Sequence, residues 1–199
     1  MNTTELKVAV TNALSTIIGL YQSEVESTLE QDNFGYEMFR YYLPLHLDDK
    51  HVRTASLINS SSTEENLFDI IPMRGICYPI TEFVRCYLRD VHGCTADILH
   101  IHVSEDGEED PFLHSVIRVG DFYYDTTYPD GTKSIHEHPL VEQLLHGADI
   151  DIVPRKEADH DPYNSFFRNS EISNFLNTCA NKLYPADRRK TEFTRTFLN

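Results

Sequence analysis

Tryptophan is absent from this chain of 199 residues, and methionine (3), cysteine (4) and glycine (8) are scarce. Each scarcity excludes something. Cys77, Cys86, Cys94 and Cys179 are too few for a disulfide scaffold over this length, so they read as thiols. No apolar run approaches the roughly 18 residues that a membrane-crossing helix needs. The longest mixed apolar stretch is Ile17-Ile18-Gly19-Leu20-Tyr21. Cations are also in short supply, with 17 Lys and Arg against 32 Asp and Glu, a formal net charge of −15. Capturing phosphate backbones or anionic lipid needs clustered Lys and Arg, and here carboxylates outnumber cations almost two to one, which argues against nucleic-acid and membrane binding. The opening Met-Asn-Thr-Thr-Glu offers neither a positive n-region nor an apolar h-region, so the expected location is cytoplasmic. There is no Gly-x-Gly-x-x-Gly, Walker loop or His-Glu-x-x-His to support a nucleotide or zincin reading.

What is present is an ordinary globular composition, 40% hydrophobic and 11% aromatic. It suits one domain over residues 1–199. Apolar residues at Leu6, Val10, Ala13, Leu14, Ile17, Tyr21, Val25 and Leu29 recur in steps of three and four, predicting an amphipathic helix over 4–30 capped by Thr3 or Thr4. A shorter helical or irregular segment, divided by Pro44, is expected over 36–47, and a polar loop over 60–66. Residues 77–91 predict a second helix, with Pro79 in its first turn and Gly93 just past its end. Three strand-like runs follow, at 95–103, 112–119 and 122–127, and their short polar connections predict two antiparallel hairpins. Helices are expected again over 139–145, 171–183 and 186–197. The fold class is α+β: a cysteine-bearing helix packed on a small antiparallel sheet, flanked by N- and C-terminal helices.

The chemistry centres on Cys77. A cysteine that opens a helix sits at the positive end of the helix dipole among free backbone N–H groups, an environment that favours thiolate. Thiolate attack also needs a base, and the base needs an orienting group. The second hairpin supplies both. With Gly120-Asp121 as a two-residue turn, Val119 pairs with Phe122, Arg118 with Tyr123, Ile117 with Tyr124 and Val116 with Asp125. His114, Val116, Asp125 and Thr127 then share one face, and His114 and Asp125 are diagonal neighbours within side-chain reach. A three-residue loop would reverse the parity.

Gly75-Ile76-Cys77 opening a helix, His114 early in a strand, and Asp125 within Tyr123-Tyr124-Asp125-Thr126-Thr127 together resemble the transglutaminase-like branch of the papain-like cysteine hydrolase superfamily. The resemblance covers about residues 72–130, a candidate catalytic core. It implies that Cys77 is the nucleophile, His114 the general base and Asp125 its orienter, in a protease, deamidase or transglutaminase-like enzyme that needs no cofactor. A protein or peptide is the implied substrate. The interval from His114 to Asp125 is short for the group and implies a hairpin without insertion. With no Trp available, the backbone N–H of Cys77 is the leading oxyanion donor, ahead of the side chains of Asn59 and Gln31.

Other clusters read more simply. Cys86, His92, Cys94, His100 and His102 are close in sequence but contain no Cys-x-x-Cys pair, so a zinc site is not expected. His136-Glu137-His138 reads as a solvated or capping segment before a helix. The acidic run 105–110 lacks calcium-loop spacing and reads as a solvated turn. Tyr41-Tyr42 and Tyr123-Tyr124 read as core and strand residues. The rival to an enzyme is a non-catalytic binding module on the same framework, whose acidic surface would engage a basic protein.

Overall fold

The first helix, α1 (Thr3–Glu30), is capped one residue earlier than the threonines suggest. Asn2 Oδ1 accepts the Glu5 N–H at 2.9 Å, and the Glu5 carboxylate accepts the Asn2 N–H at 2.9 Å. This reciprocal capping box satisfies two donors that the first turn leaves unpaired. In this computed structural model the described residues are 2–30, 77–104, 112–138, 141–142, 149–154 and 170–185. The segments expected over 36–47, 60–66 and 186–197 lie outside them. So does most of 139–145, where Val141 and Glu142 are helical.

The second helix, α2 (Cys77–His92), and the third, α3 (Ser170–Leu183), pack with α1 around a common core. The stripe anticipated on α1 is the buried one: Val10, Ala13, Leu14, Ile17 and Tyr21 are all 0–1% exposed. Tyr21 meets Phe175 of α3 edge-on at 6.2 Å between ring centroids, and Phe83 of α2 meets Tyr184 at 6.1 Å. Such edge-to-face pairs add about 0.5–1.5 kcal/mol beyond the area they bury. Gly93 ends α2 with φ 64°, its N–H bonded to the Arg89 carbonyl at 3.0 Å, the left-handed cap the sequence suggested.

The strands β1 (Asp97–Ser104), β2 (Phe112–Val119), β3 (Phe122–Tyr124) and β4 (Asp149–Pro154) form one antiparallel sheet in the order β3-β2-β1-β4. The architecture is α+β. Both expected hairpins are present, and β2 pairs with β3 in the anticipated register: Val119 with Phe122, Arg118 with Tyr123, Ile117 with Tyr124. Gly120 turns the chain at φ 59°, a conformation proper to primed hairpin turns, whose twist matches that of the strands.

Two features differ from the sequence reading. β4 was not anticipated; Asp149 and Asp151 disfavour a strand, yet the segment pairs along β1 from Ser104 to Leu99. β3 ends at Tyr124 and not at 127. The Asp125 carboxylate captures the backbone N–H groups of Thr127 and Tyr128, which turns the chain out of the ladder. The strand then returns on itself, because Tyr123 and Thr132 exchange backbone hydrogen bonds of 2.8 and 2.9 Å. Gly131 lies in this return with φ 71°, and a Cβ there would come within 2.5 Å of Cδ1 of the buried Tyr124 ring. Only glycine fits. Thr11 of α1 holds the same loop by donating to the Pro129 carbonyl at 2.9 Å.

Candidate functional site

Cys77 opens α2, and its side chain is buried, as are those of Tyr78, Pro79 and Ile80 beside it. The first turn is stitched by Thr81, whose hydroxyl donates to the carbonyls of Cys77 and Tyr78 at 3.1 and 2.9 Å. Proline in this turn costs no hydrogen bond, because N–H groups there have no intrahelical partner. The Cys77 sulfur is thus held at the positive pole of a fixed helix.

His114 comes from the beginning of β2, opposite Ile101 of β1. The β1–β2 register shifts between Ile101 and His102, which face His114 and Phe112, so Leu113 is the extra residue of a bulge beside His114. A bulge bends its strand and re-aims the side chains next to it. His114 is wholly buried, and its Nε2 lies 2.6 Å from Asp125 Oδ2. Asp125 lies past the end of β3, outside the ladder that the hairpin reading assumed, yet its side chain still meets His114 in a short, charge-assisted hydrogen bond away from water.

Asp125 is 1% exposed, and its carboxylate is held from every side. Oδ1 accepts the N–H of Thr127 at 2.8 Å and of Tyr128 at 2.7 Å. The Thr127 hydroxyl lies 2.6 Å from Oδ1 and 2.9 Å from Oδ2. Nε2 of the fully buried His138 stands 3.2 Å from Oδ1, an electrostatic contact more than a well-directed hydrogen bond. Burial alone would raise the Asp125 pKa. The charge of His138, the bonds from His114 and His138 and the charge of His114 outweigh it, and the carboxyl is held well below its ordinary range.

The His114 ring moves the other way. Burial pushes it down, but the charge of Cys77, the hydrogen bond to Asp125, the contact with Cys77 and the charge of Asp125 together lift it from 6.5 to about 10. Since Nε2 is engaged by Asp125, Nδ1 is the nitrogen left for Cys77. That atom is enclosed and makes no hydrogen bond of regular geometry among the described residues, so Cys77 acts on the ring through charge and proximity. The three residues singled out from the sequence thus form one buried, electrostatically coupled group.

The remaining candidates separate. His92 Nε2 lies 3.2 Å from the Tyr87 hydroxyl, Cys94 donates to the Thr95 carbonyl, and His100 Nδ1 lies 3.0 Å from Ser115 Oγ. Burial pushes the Cys86 thiol up to about 12, and the Glu82 carboxylate adds to the rise. Among the described residues, no three His, Cys, Asp or Glu side chains are placed to hold a metal ion. All four cysteines are free thiols. Gln31, Asn59 and the acidic run 105–110 lie outside the described residues.

His138 corrects the sequence reading. His136 and Glu137 are exposed, as expected of a solvated segment, whereas His138 is 0% exposed and faces the carboxylate at the centre of the site. The available signal was the apolar Val141 three residues on in the sequence, which is buried. No helix among the described residues is long and apolar enough to cross a membrane. In comparisons with protein-family models, curated proteins and solved structures, nothing matches this chain, and the case for its chemistry rests on the grouping of Cys77, His114 and Asp125.

Proposed function

We propose that this chain is a cysteine-dependent amide hydrolase or acyltransferase of the protease, deamidase or transglutaminase-like kind, built on a papain-like core. The observation that carries the reading is the buried 2.6 Å bond between His114 Nε2 and Asp125 Oδ2, on a ring that Cys77 also charges upward. A structural histidine needs one partner. This one joins a carboxylate on one side and a helix-terminal thiol on the other, the arrangement that nucleophilic catalysis requires.

The proposed steps use these three residues in turn. Cys77 passes its proton to His114 Nδ1, while Asp125 holds Nε2–H and fixes the tautomer. The sulfur attacks the amide carbonyl carbon, and the electron pair of the C=O bond moves to oxygen. The backbone N–H of Cys77, at the helix N-terminus, is the donor that stabilises that oxyanion in this reading. When the intermediate collapses the C–N bond breaks, and the proton on His114 goes to the leaving amine, leaving an acyl-thioester on Cys77. Water or an amine then gives its proton to His114 as it attacks the thioester, and the thiolate departs.

Alkylation of the four cysteines by iodoacetamide, followed residue by residue with peptide mass spectrometry, tests the pair. Cys77 is expected to react fastest near pH ~6, and His114→Ala to slow it by about tenfold or more. Equal Cys77 rates in the two proteins would overturn the reading and point to a binding module, to be pursued with basic protein partners. Paired rates justify a screen with peptide and glutamine amides.

A further inference from the structure

Asp125 has two histidine neighbours, and the proposed mechanism uses only one. We propose that His138 is a positioning residue of this site, holding the Asp125 carboxylate on its Oδ1 side so that Oδ2 stays on His114 Nε2. This inference rests on the reading of Cys77, His114 and Asp125 as a catalytic group.

Backbone geometry delivers His138 to that place. After the Tyr123–Thr132 bridge, the chain makes a short 3-10 turn, Ile135–Glu137, whose Ile135 is buried. The His138 N–H bonds to the Ile135 carbonyl at 3.1 Å, and the His138 carbonyl accepts the Glu142 N–H at 2.9 Å. Main-chain bonds thus fix the residue on both sides. Its ring stands edge-on to Tyr128 at 6.2 Å, and Tyr128 itself gives its N–H to Asp125 Oδ1 at 2.7 Å. Asp125, Tyr128 and His138 therefore belong to one closed segment anchored on β3.

Solvation alone would not place an imidazole there. Its side chain has no exposed surface, and burying a polar ring is unfavourable unless a partner compensates it. The partner is a carboxylate oxygen 3.2 Å from Nε2. Oδ1 already accepts two backbone N–H groups, and His138 closes the remaining side of that oxygen. Among the influences that lower the Asp125 pKa, the charge of His138 leads. Among the described residues, the titratable groups facing this carboxylate are His114, His138 with Tyr128 packed against its ring, and, through His114, Cys77.

The test uses the full chain and the same alkylation assay, comparing wild type, His114→Ala, His138→Leu and His138→Gln at neutral pH. Gln carries an N–H donor at the same reach as Nε2, whereas Leu fills the space without one. The expected result is a Cys77 rate about tenfold lower in His138→Leu and within about twofold of wild type in His138→Gln. A merely structural role would lower the unfolding midpoint in both variants while leaving the Cys77 rate of the folded protein unchanged, and that result overturns the inference. A second measurement needs no variant: long-range proton–nitrogen NMR of wild type must find a proton on His138 Nε2. An unprotonated Nε2 cannot face a carboxylate as a donor and overturns the inference even if His138→Leu fails to fold. The underlying reading fails separately, when His114→Ala leaves Cys77 as reactive as in wild type.

Discussion

Replacing Asp125 with Asn changes one atom and two properties of the site. The buried anion beside His114 disappears, and the amide group can now donate toward Nε2, which would drive the ring proton to Nδ1, the nitrogen that must accept from Cys77. Lifting the ring from 6.5 to about 10 corresponds to roughly 5 kcal/mol in favour of imidazolium, shared between Cys77 and Asp125, at about 1.4 kcal/mol per tenfold change. A carboxylate partner accounts for about 1–3 pH units of such a rise. The His114 midpoint, followed by NMR through its ring protons, should therefore fall by that amount in Asp125→Asn, with slower Cys77 alkylation at pH ~6. Stability follows with a definite sign. A ring raised in the folded state contributes fully below its unfolded value of 6.5, and the contribution is lost as pH rises toward about 10. The urea midpoint of wild type should decline across that window and decline less in Asp125→Asn. A His114 midpoint unchanged by the substitution would refute the argument, because the short bond could not then be setting the ring's charge.

The remaining predictions concern the frame of the site. Asp125 titrates in the opposite sense: its contribution is present above the unfolded value of 3.8 and is lost as pH falls through its depressed folded value. Acid unfolding curves should therefore steepen below pH ~4 in wild type and lose that limb in Asp125→Asn. Gly131→Ala should cost about 2–4 kcal/mol, because φ 71° strains any side chain and its Cβ meets Tyr124; urea unfolding measures it, and a neutral substitution would mean the return loop is not fixed as described. Cys86, pushed up to about 12, should resist alkylation at pH ~8 under native conditions, and rapid labelling there would contradict its raised pKa.

The hairpin register was legible as far as Ile117–Tyr124, because a period-two strand with a two-residue Gly-Asp turn leaves one pairing; the expected Val116–Asp125 pair lies past the end of the ladder. The cysteine helix was legible from its apolar spacing and the glycine after it, both local signals. The helix cap was misplaced because Asn2, Thr3 and Thr4 are all competent caps, and only the reciprocal bonds between Asn2 and Glu5 choose among them. β4 was passed over because its alternation is brief and its aspartates are poor strand formers. Pairing with β1 supplies what propensity does not. His138 was misread because the two exposed residues before it outweighed the apolar residue that follows at Val141.

Sequence by itself determined the elements whose information is local: the stripe of α1, the ends of α2, the tight turn between β2 and β3, and the chemical identities of Cys77, His114 and Asp125. Tertiary structure alone decided that His114 lies within the electrostatic reach of Cys77, that Asp125 leaves the ladder to cap its own loop, and that His138 is drawn in behind it. The physical reason is that helix and hairpin patterns depend on neighbours a few residues apart. The charge state of a buried ring depends on groups that the chain brings together from 77, 114, 125 and 138, and on the water excluded around them.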